Sequence, residues 1–327
     1  MDHLKRSKRN CFATGAISRI TDKRNDGHWI VQQLNRPNTR IAPLWRGKNL
    51  IGLSDVPQPI FFRSDQLKDY NFDPNTCLLL GETGGQVYYA IDLPSDDEAI
   101  PQKLSHLGQF QNLRSFGALI EGWSAELLAY AKALTYWHLN RRFCGRCGQS
   151  TVVAEGGHML VCRNQDCAHK QFPRTDPAII VIVTHQDKCL LGRQPTWPRG
   201  MYANIAGFVE PGESLESAVA REVLEETGVK VATVNYLSSQ PWPFPCSIML
   251  GFNAEAHDNS IHLDDLELED ARWFSREDII AGLHNGTLKL PNDISISYRL
   301  IEYWFNSGSS GYLANIIATS KRGSKEN

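Results

Sequence analysis

Apolar positions recur along this chain in two periods, and the change from one to the other marks out its elements. Up to about residue 130, short apolar runs are separated by Gly, Asn and Pro: Trp29-Ile-Val-Gln, Ile60-Phe-Phe, Cys77-Leu-Leu-Leu and Gln86-Val-Tyr-Tyr-Ala-Ile-Asp. Such runs predict strands. Residues 122–140 switch to helical spacing, with Ser124 as the expected N-cap. Beyond residue 172, Ala178–Thr184 and Lys188–Arg193 predict strands, followed by a helix at 215–227. Strands near 230–238 and 246–255, another strand to which the run Glu267–Phe274 leads, and helices near 276–283 and 294–306 complete the pattern. The alternation predicts a mixed sheet with helices on both faces, and no internal repeat is present.

The 215–227 helix carries the densest chemistry. Ser214 suits its N-cap, no Gly or Pro interrupts it, and Gly228 suits the position just past its end. Glu222 and Glu226 share a face, with Glu225 a short step round it. Crowded carboxylates raise one another's pKa, and a hard divalent cation such as Mg²⁺ or Mn²⁺ relieves the conflict. Arg221 lies beside Glu225 and can brace an acid by a bidentate contact. Gly207 and Gly212 bracket a loop in which backbone can approach a phosphate. The plainer alternative is a solvated acidic helix. Ala220, Val223 and Leu224 on one side, with Leu215, Ala218 and Val219 on the other, predict a helix packed on both sides instead.

Composition narrows the setting. The chain has 327 residues, 42% of them hydrophobic and 21% charged, enough for two or three domains. A net charge of −2 and a pI near 6.6 provide no global basic field for long nucleic acid. The N-terminus MDHLKRSKRNCF is basic but is followed by no apolar core of a secretory signal. No apolar run reaches the ~18 residues of a membrane helix. These features give a cytoplasmic expectation without membrane contact.

Four of the eight cysteines are scattered: Cys11, Cys77, Cys189 and Cys246. The other four form Cys144-x-x-Cys147 and Cys162-x4-Cys167, two knuckles with the spacing of a tetrahedral Zn²⁺ ribbon. Four thiolates would fill the metal's coordination, so the zinc would be structural. A redox pair leaves the second knuckle unexplained. A ribbon flanked by Arg141, Arg142, Arg146 and Arg163 also raises the alternative of a nucleic-acid-binding module, though few aromatics are interleaved for base stacking.

Residues 207–229, GFVEPGESLESAVAREVLEETGV, fit Gly-x5-Glu-x7-Arg-Glu-U-x-Glu-Glu-x-Gly-U, where U is aliphatic. This is the Nudix box, and the chain resembles Nudix hydrolases. Ten residues beyond the box, Ser239-Gln-Pro-Trp-Pro-Phe-Pro-Cys-Ser247 resembles the SQPWPFPxS array of NADH pyrophosphatases, also known as NAD-capped RNA hydrolases. Knuckles immediately before the box domain, Thr39–Lys48 and Phe172–Pro177 fit the same family, so the resemblance spans roughly residues 30–310.

The resemblance implies an α+β protein built as a Nudix α/β/α sandwich with a mixed sheet. A Cys₄ zinc ribbon and a smaller N-terminal α+β domain would precede it. The expected boundaries are 1–135 for the N-terminal domain, 136–172 for the ribbon, 173–318 for the hydrolase domain and 319–327 for a solvated tail. It implies metal-dependent cleavage of NAD(H) to NMN(H) and AMP, removal of NAD caps from RNA, and a homodimer. Another nucleoside diphosphate such as ADP-ribose is the alternative substrate.

Glu222 and Glu226 are the leading metal ligands, with the Ala206 carbonyl and Glu267 added by the resemblance. Arg221 is the brace, and Glu213, Glu225 and a later Glu are candidate bases. The array Gln240, Pro241, Trp242, Pro243, Phe244, Pro245, Cys246 and Ser247 would contact substrate, its prolines fixing φ and excluding a regular ladder. The resemblance adds Phe208 as a stacking ring and Phe172 where a Tyr is usual. It also adds Ser297 as a backbone contact and Arg114 from the first domain.

Overall fold

The computed structural model describes residues 2–70, 72–263 and 267–323. The chain forms two compact units. One comprises Met1–Cys11, Asp176–Gln240 and Ile248–Asn327, and the other Phe12–Thr175 with Pro241–Ser247.

The first unit is built on the Asp176–His185 strand. The six-stranded sheet runs Val231–Trp242, Ser247–Ala256, Asp176–His185, Lys188–Arg193 and Asp270–Phe274, with Ile205–Phe208 paired antiparallel to Asp176–His185. Successive side chains of a strand point to opposite faces, and both faces here are covered. Ile179, Val181 and Val183 pack with Ala218, Val219 and Val223 of the Leu215–Thr227 helix. Ile180 and Ile182 pack with Ile279 of Arg276–His284 and with Leu300, Ile301 and Phe305 of Ile296–Asn306. The predicted three-layer arrangement of helix, sheet and helix is therefore present.

The Leu215–Thr227 helix has the expected bounds. Ser214 Oγ accepts from the Ser217 N–H, and Gly228 closes the helix at φ 70°. Its packing is one-sided, however. Ala218, Val219, Val223 and Glu226 are buried while Leu224 is 45% exposed. The helix has a single sheet to cover, so the expected second apolar face does not exist.

The second unit has a five-stranded sheet in the order Leu78–Thr83, Gln86–Asp92, Arg40–Trp45, Lys48–Gly52 and Gly108–Gln111. It is mixed, since Arg40–Trp45 pairs parallel with Gln86–Asp92 and antiparallel with Lys48–Gly52. The Gly122–Leu139 helix packs on it. A small sheet of Thr151–Ala154, Met159–Cys162 and Lys170–Gln171 follows.

Several expected elements differ. Trp29–Gln32 lies in the Gly27–Leu34 helix, because Asp26 accepts from the Trp29 N–H and caps it. Ile60–Phe62 makes only isolated bridges to neighbouring strands. The long helix begins at Gly122 after Glu121, so Ser124 is inside it and is not the cap. The Val231–Trp242 strand runs through Pro241, where a ladder was expected to stop. The Leu313–Gly323 helix extends into the expected tail, and residues 324–327 lie outside the described residues.

Candidate active site

The strand Ile205–Phe208 sets Gly207 opposite Ile179, and the Leu215–Thr227 helix then lays Glu222 across it. A Cβ at Gly207 would lie 1.9–2.3 Å from the Glu222 carboxyl group. The carboxylate therefore rests on bare backbone, which explains why the position takes glycine.

Arg221 organises the acids around it. Its Nε and Nη2 donate to Glu213 at 2.8 and 2.9 Å, its Nη1 to Glu222 at 2.8 Å and to Glu225 at 3.0 Å, and Nη2 also to the Phe208 carbonyl at 3.0 Å. The fork with Glu213 is the bidentate contact expected of a planar guanidinium. It holds the Glu213 carboxyl down to about 2, mainly through the Arg221 hydrogen bonds. Glu222 moves the other way. Burial raises it, the Arg221 pairing lowers it, and the charges of Glu225 and Glu267 raise it further. The net shift is upward, so desolvation outweighs the single arginine contact. The same interaction puts Glu267 within electrostatic reach of Glu222.

Glu226 is 5% exposed on the packed face, whereas the Glu225 side chain is 55% exposed. The acidic run continuing through Asp264 and Asp265 falls outside the described residues. Among the described residues, Glu222, Glu226 and Glu267 do not form a group gathered within reach of one ion. The donor set is nonetheless all oxygen, on a desolvated turn beside a bare glycine, which suits a hard divalent cation.

Two flanking residues support the site strand. Ser297 is 4% exposed and donates to Asn204 Oδ1 at 2.8 Å, while the Asn204 N–H donates back to Ser297 Oγ at 3.3 Å. Asn204 immediately precedes Ile205–Phe208, and sequence reasoning missed it because its partner lies 93 residues away. Phe208, the expected stacking ring, is 58% exposed and is not a core residue. Gln240 is wholly buried: its amide donates to the Cys11 and Ile294 carbonyls at 3.0 and 2.7 Å and accepts from the Ile296 N–H at 2.7 Å.

In the other unit, the Trp242 and Phe244 rings meet edge to face at 4.9 Å. The Arg114 guanidinium lies 5.1 Å from the Trp242 ring centre and 4.7 Å from that of Phe244. Pro243, Phe244 and Pro245 line a cavity of about 340 Å³ with Arg46, Lys132 and Tyr136. Lys132 donates to the Gly47 carbonyl, and burial lowers its pKa. Arg46 falls in the Thr39–Lys48 stretch that carries the resemblance, whereas Lys132 had no local motif to mark it. Pro241 is exposed, Cys246 and Ser247 are half-buried, and Phe172 is 60% exposed.

The four knuckle cysteines converge, with ligating atoms within 4.8 Å of one another. Cys144 Sγ lies 3.9 Å from Cys167 Sγ, and Cys147 Sγ lies 3.4 Å from Cys162 Sγ. Tetrahedral zinc with ~2.3 Å bonds to sulfur separates its ligands by about 3.8 Å. The set fits that ion and is far too open for disulfides.

Comparison with known proteins agrees with this geometry. The NADH pyrophosphatase-like rudimentary NUDIX domain model matches residues 38–137, the NADH pyrophosphatase zinc ribbon domain residues 139–172 and the NUDIX domain residues 174–293. The NAD-capped RNA hydrolase NUDT12 of Homo sapiens is 35% identical over 338 residues, covering 90% of this chain and 73% of that protein. The chain belongs to the NADH pyrophosphatase and NAD-capped RNA hydrolase family of Nudix hydrolases. The NAD-capped RNA hydrolase NudC of Mycobacterium tuberculosis is 39% identical over 245 residues, covering 71% of this chain and 76% of its own. Among solved structures, a Nudix hydrolase from Nitrosomonas europaea gives a TM-score of 0.41 at 20% identity, covering 52% of this chain and 96% of its own.

Two outcomes follow for this Nudix protein. Replacing Cys162 with Ser removes one of four ligands, so metal analysis should show zinc loss and the melting temperature should fall. Unchanged zinc content would refute the ligand set. Carboxyl ¹³C NMR of the metal-free protein should show Glu222 protonating before Glu213 as pH falls, with Glu213 still ionised at pH 4. For Glu213, whose pKa is depressed, the contribution to stability is intact above the unfolded value near 4.5 and is lost as pH approaches about 2. Protonation in the reverse order would refute the brace.

Proposed function

We propose that this chain hydrolyses the diphosphate bond of NAD(H), giving NMN(H) and AMP, and removes NAD caps from RNA 5′ ends by the same cleavage. The observation that carries the reading is the Glu222 carboxylate, desolvated and seated on the bare backbone of Gly207. The family membership supports it, since the relatives named above are NAD-capped RNA hydrolases.

In this reading Glu222, Glu226, Glu267 and the Ala206 carbonyl would hold Mg²⁺ or Mn²⁺. Such a cation neutralises a diphosphate and lowers the pKa of a bound water. Water adds to one phosphorus, the bridging oxygen departs with the other phosphate, and a carboxylate takes the proton of the water. Glu213 is a poor base, because the Arg221 fork holds its pKa near 2. The base role therefore passes to Glu225 or a later Glu, and Arg221 with Glu213 serves to hold the loop and helix in register.

The array supplies recognition. Trp242, Phe244 and Arg114 offer two rings and a cation to a nicotinamide or adenine, with Pro241, Pro243, Pro245, Cys246 and Ser247 shaping the segment. Phe208 and Phe172 offer exposed ring faces. Gln240 and Ser297 contribute by fixing backbone rather than by a free side chain.

The Cys₄ ribbon binds structural Zn²⁺. The four gathered thiols support a reducing compartment, which we take to be the cytoplasm. The family resemblance supports a homodimer. Among the described residues, no helix is long and apolar enough to cross a membrane.

Replacing Glu226 with Gln should lower turnover of NADH and of NAD-capped RNA by about 10²-fold or more. Chromatography should identify NMN(H) and AMP from the unaltered protein. Full activity in the variant would restore the binding-module alternative. Trp242→Ala combined with Phe244→Ala should damage NADH turnover more than ADP-ribose turnover. Equal losses would remove the array from selectivity.

A further inference from the structure

The strand Lys188–Arg193 ends beside the stretch that carries Glu267. It pairs antiparallel with Asp270–Phe274, and its final ladder pairs are Gly192 with Ala271 and Arg193 with Asp270. Glu267 stands before the first residue of that ladder, so strand pairing alone does not place it. Its position depends on how residues 268–270 are held.

Two anchors act on them. Leu268 is 6% exposed and packs in the core beneath the Leu215–Thr227 helix. A Cβ at Gly192 would meet Leu268 Cδ1 at 2.9 Å, so the bare backbone there gives the leucine its seat. Arg193 is the second anchor. Its carbonyl accepts from the Glu269 N–H at 2.9 Å, and its Nε donates to the Glu269 carboxylate. Its Nη1 and Nη2 donate to the Pro198 and Trp197 carbonyls at 2.6 and 3.0 Å. Arg193 is only 9% exposed, and a guanidinium so far from water persists because its nitrogens are paired.

These contacts sort the acids of the run. Glu269 is committed to Arg193, and Asp270 accepts from the Tyr202 hydroxyl and from Arg272. The charge of Glu267, by contrast, acts on Glu222. The end of the same strand also reaches the other side of the site. Gly192 exchanges two backbone hydrogen bonds with Ala203, each 2.9 Å, and the chain runs on from Ala203 into Ile205–Phe208. One strand end thus ties the Glu267 stretch to the strand on which the Glu222 carboxylate rests.

We propose that Arg193 is a positioning residue of the hydrolytic centre: by clasping Glu269 and the Trp197–Pro198 turn to one strand end, it sets Glu267 and Glu222 to share a divalent cation. The role rests on the reading that Glu267 is a metal ligand. Arg193 itself touches neither the cation nor the substrate. Groups that orient metal ligands from behind are worth about 10–100-fold in metal affinity.

Titration of the zinc-loaded full chain with Mn²⁺, followed by electron paramagnetic resonance, reads this without substrate. Arg193→Met and, separately, Glu269→Ala should each weaken Mn²⁺ binding about 10-fold, and turnover lost at limiting Mn²⁺ should return at saturating Mn²⁺. Arg193→Lys keeps a charge for Glu269 but cannot span both carbonyls, so it should weaken binding less than Arg193→Met. Glu267→Gln, titrated in parallel, separates the two claims. Weakened binding in Glu267→Gln with unchanged binding in Glu269→Ala and Arg193→Lys overturns the positioning role alone. Unchanged binding in Glu267→Gln overturns the ligand reading and the positioning role with it. A lower melting temperature at unchanged Mn²⁺ affinity in the Arg193 variants would make the residue a structural clasp only, which also overturns the proposal.

Discussion

One guanidinium holds the Gly207–Glu226 segment of this protein together. Arg221 joins the loop acid Glu213, two helix acids and a strand-end carbonyl, so strand, loop and helix share a single rigid hub. Without that cation, four negative or partially negative groups would face one another across a few ångströms. With it, Glu213 becomes a fixed anion, and Glu222 is pressed onto Gly207 where burial dominates its proton affinity. The division of labour among near-identical glutamates arises from these surroundings, not from the residues themselves.

The hub depends on how the central strand is used. Asp176–His185 gives alternate side chains to two separate cores, one beneath the acid-bearing helix and one beneath the Ile296–Asn306 helix. The second core also fixes Ser297, which fixes Asn204 and so the start of Ile205–Phe208. The backbone of Ile205–Phe208 is thus buttressed from the opposite layer. The Trp242–Phe244 segment has its own frame, in which Arg114 rests against both aromatic rings.

What the sequence revealed was local. The Leu215–Thr227 helix carries its N-cap, its acid spacing and its terminal glycine within 15 consecutive residues, and its bounds were legible. The knuckle cysteines were legible for the same reason. Errors came where short range misleads. Trp29–Gln32 looks like a strand by side-chain type, but the Asp26 cap three residues earlier commits it to helix. Leu224 appears to extend an apolar face, yet only one sheet is available to cover the helix. Asn204 and Lys132 act through partners distant in sequence, and no spacing rule reports such partners. Gln240 was expected to face substrate, but its amide is occupied by three backbone groups that only the fold brings near.

The cysteine ribbon has a consequence for how the chain comes into being. Its strands are only four, four and two residues long, and they bury few apolar side chains. So thin a layer lacks the interior needed to hold itself shut, and its order derives from whatever joins the sulfurs. The segment therefore links folding to metal supply. In a cell starved of that metal, the sheets that precede and follow it in sequence would complete their own interiors while these hairpins stayed open to proteases, and the protein would be lost at that stretch before its chemistry was impaired.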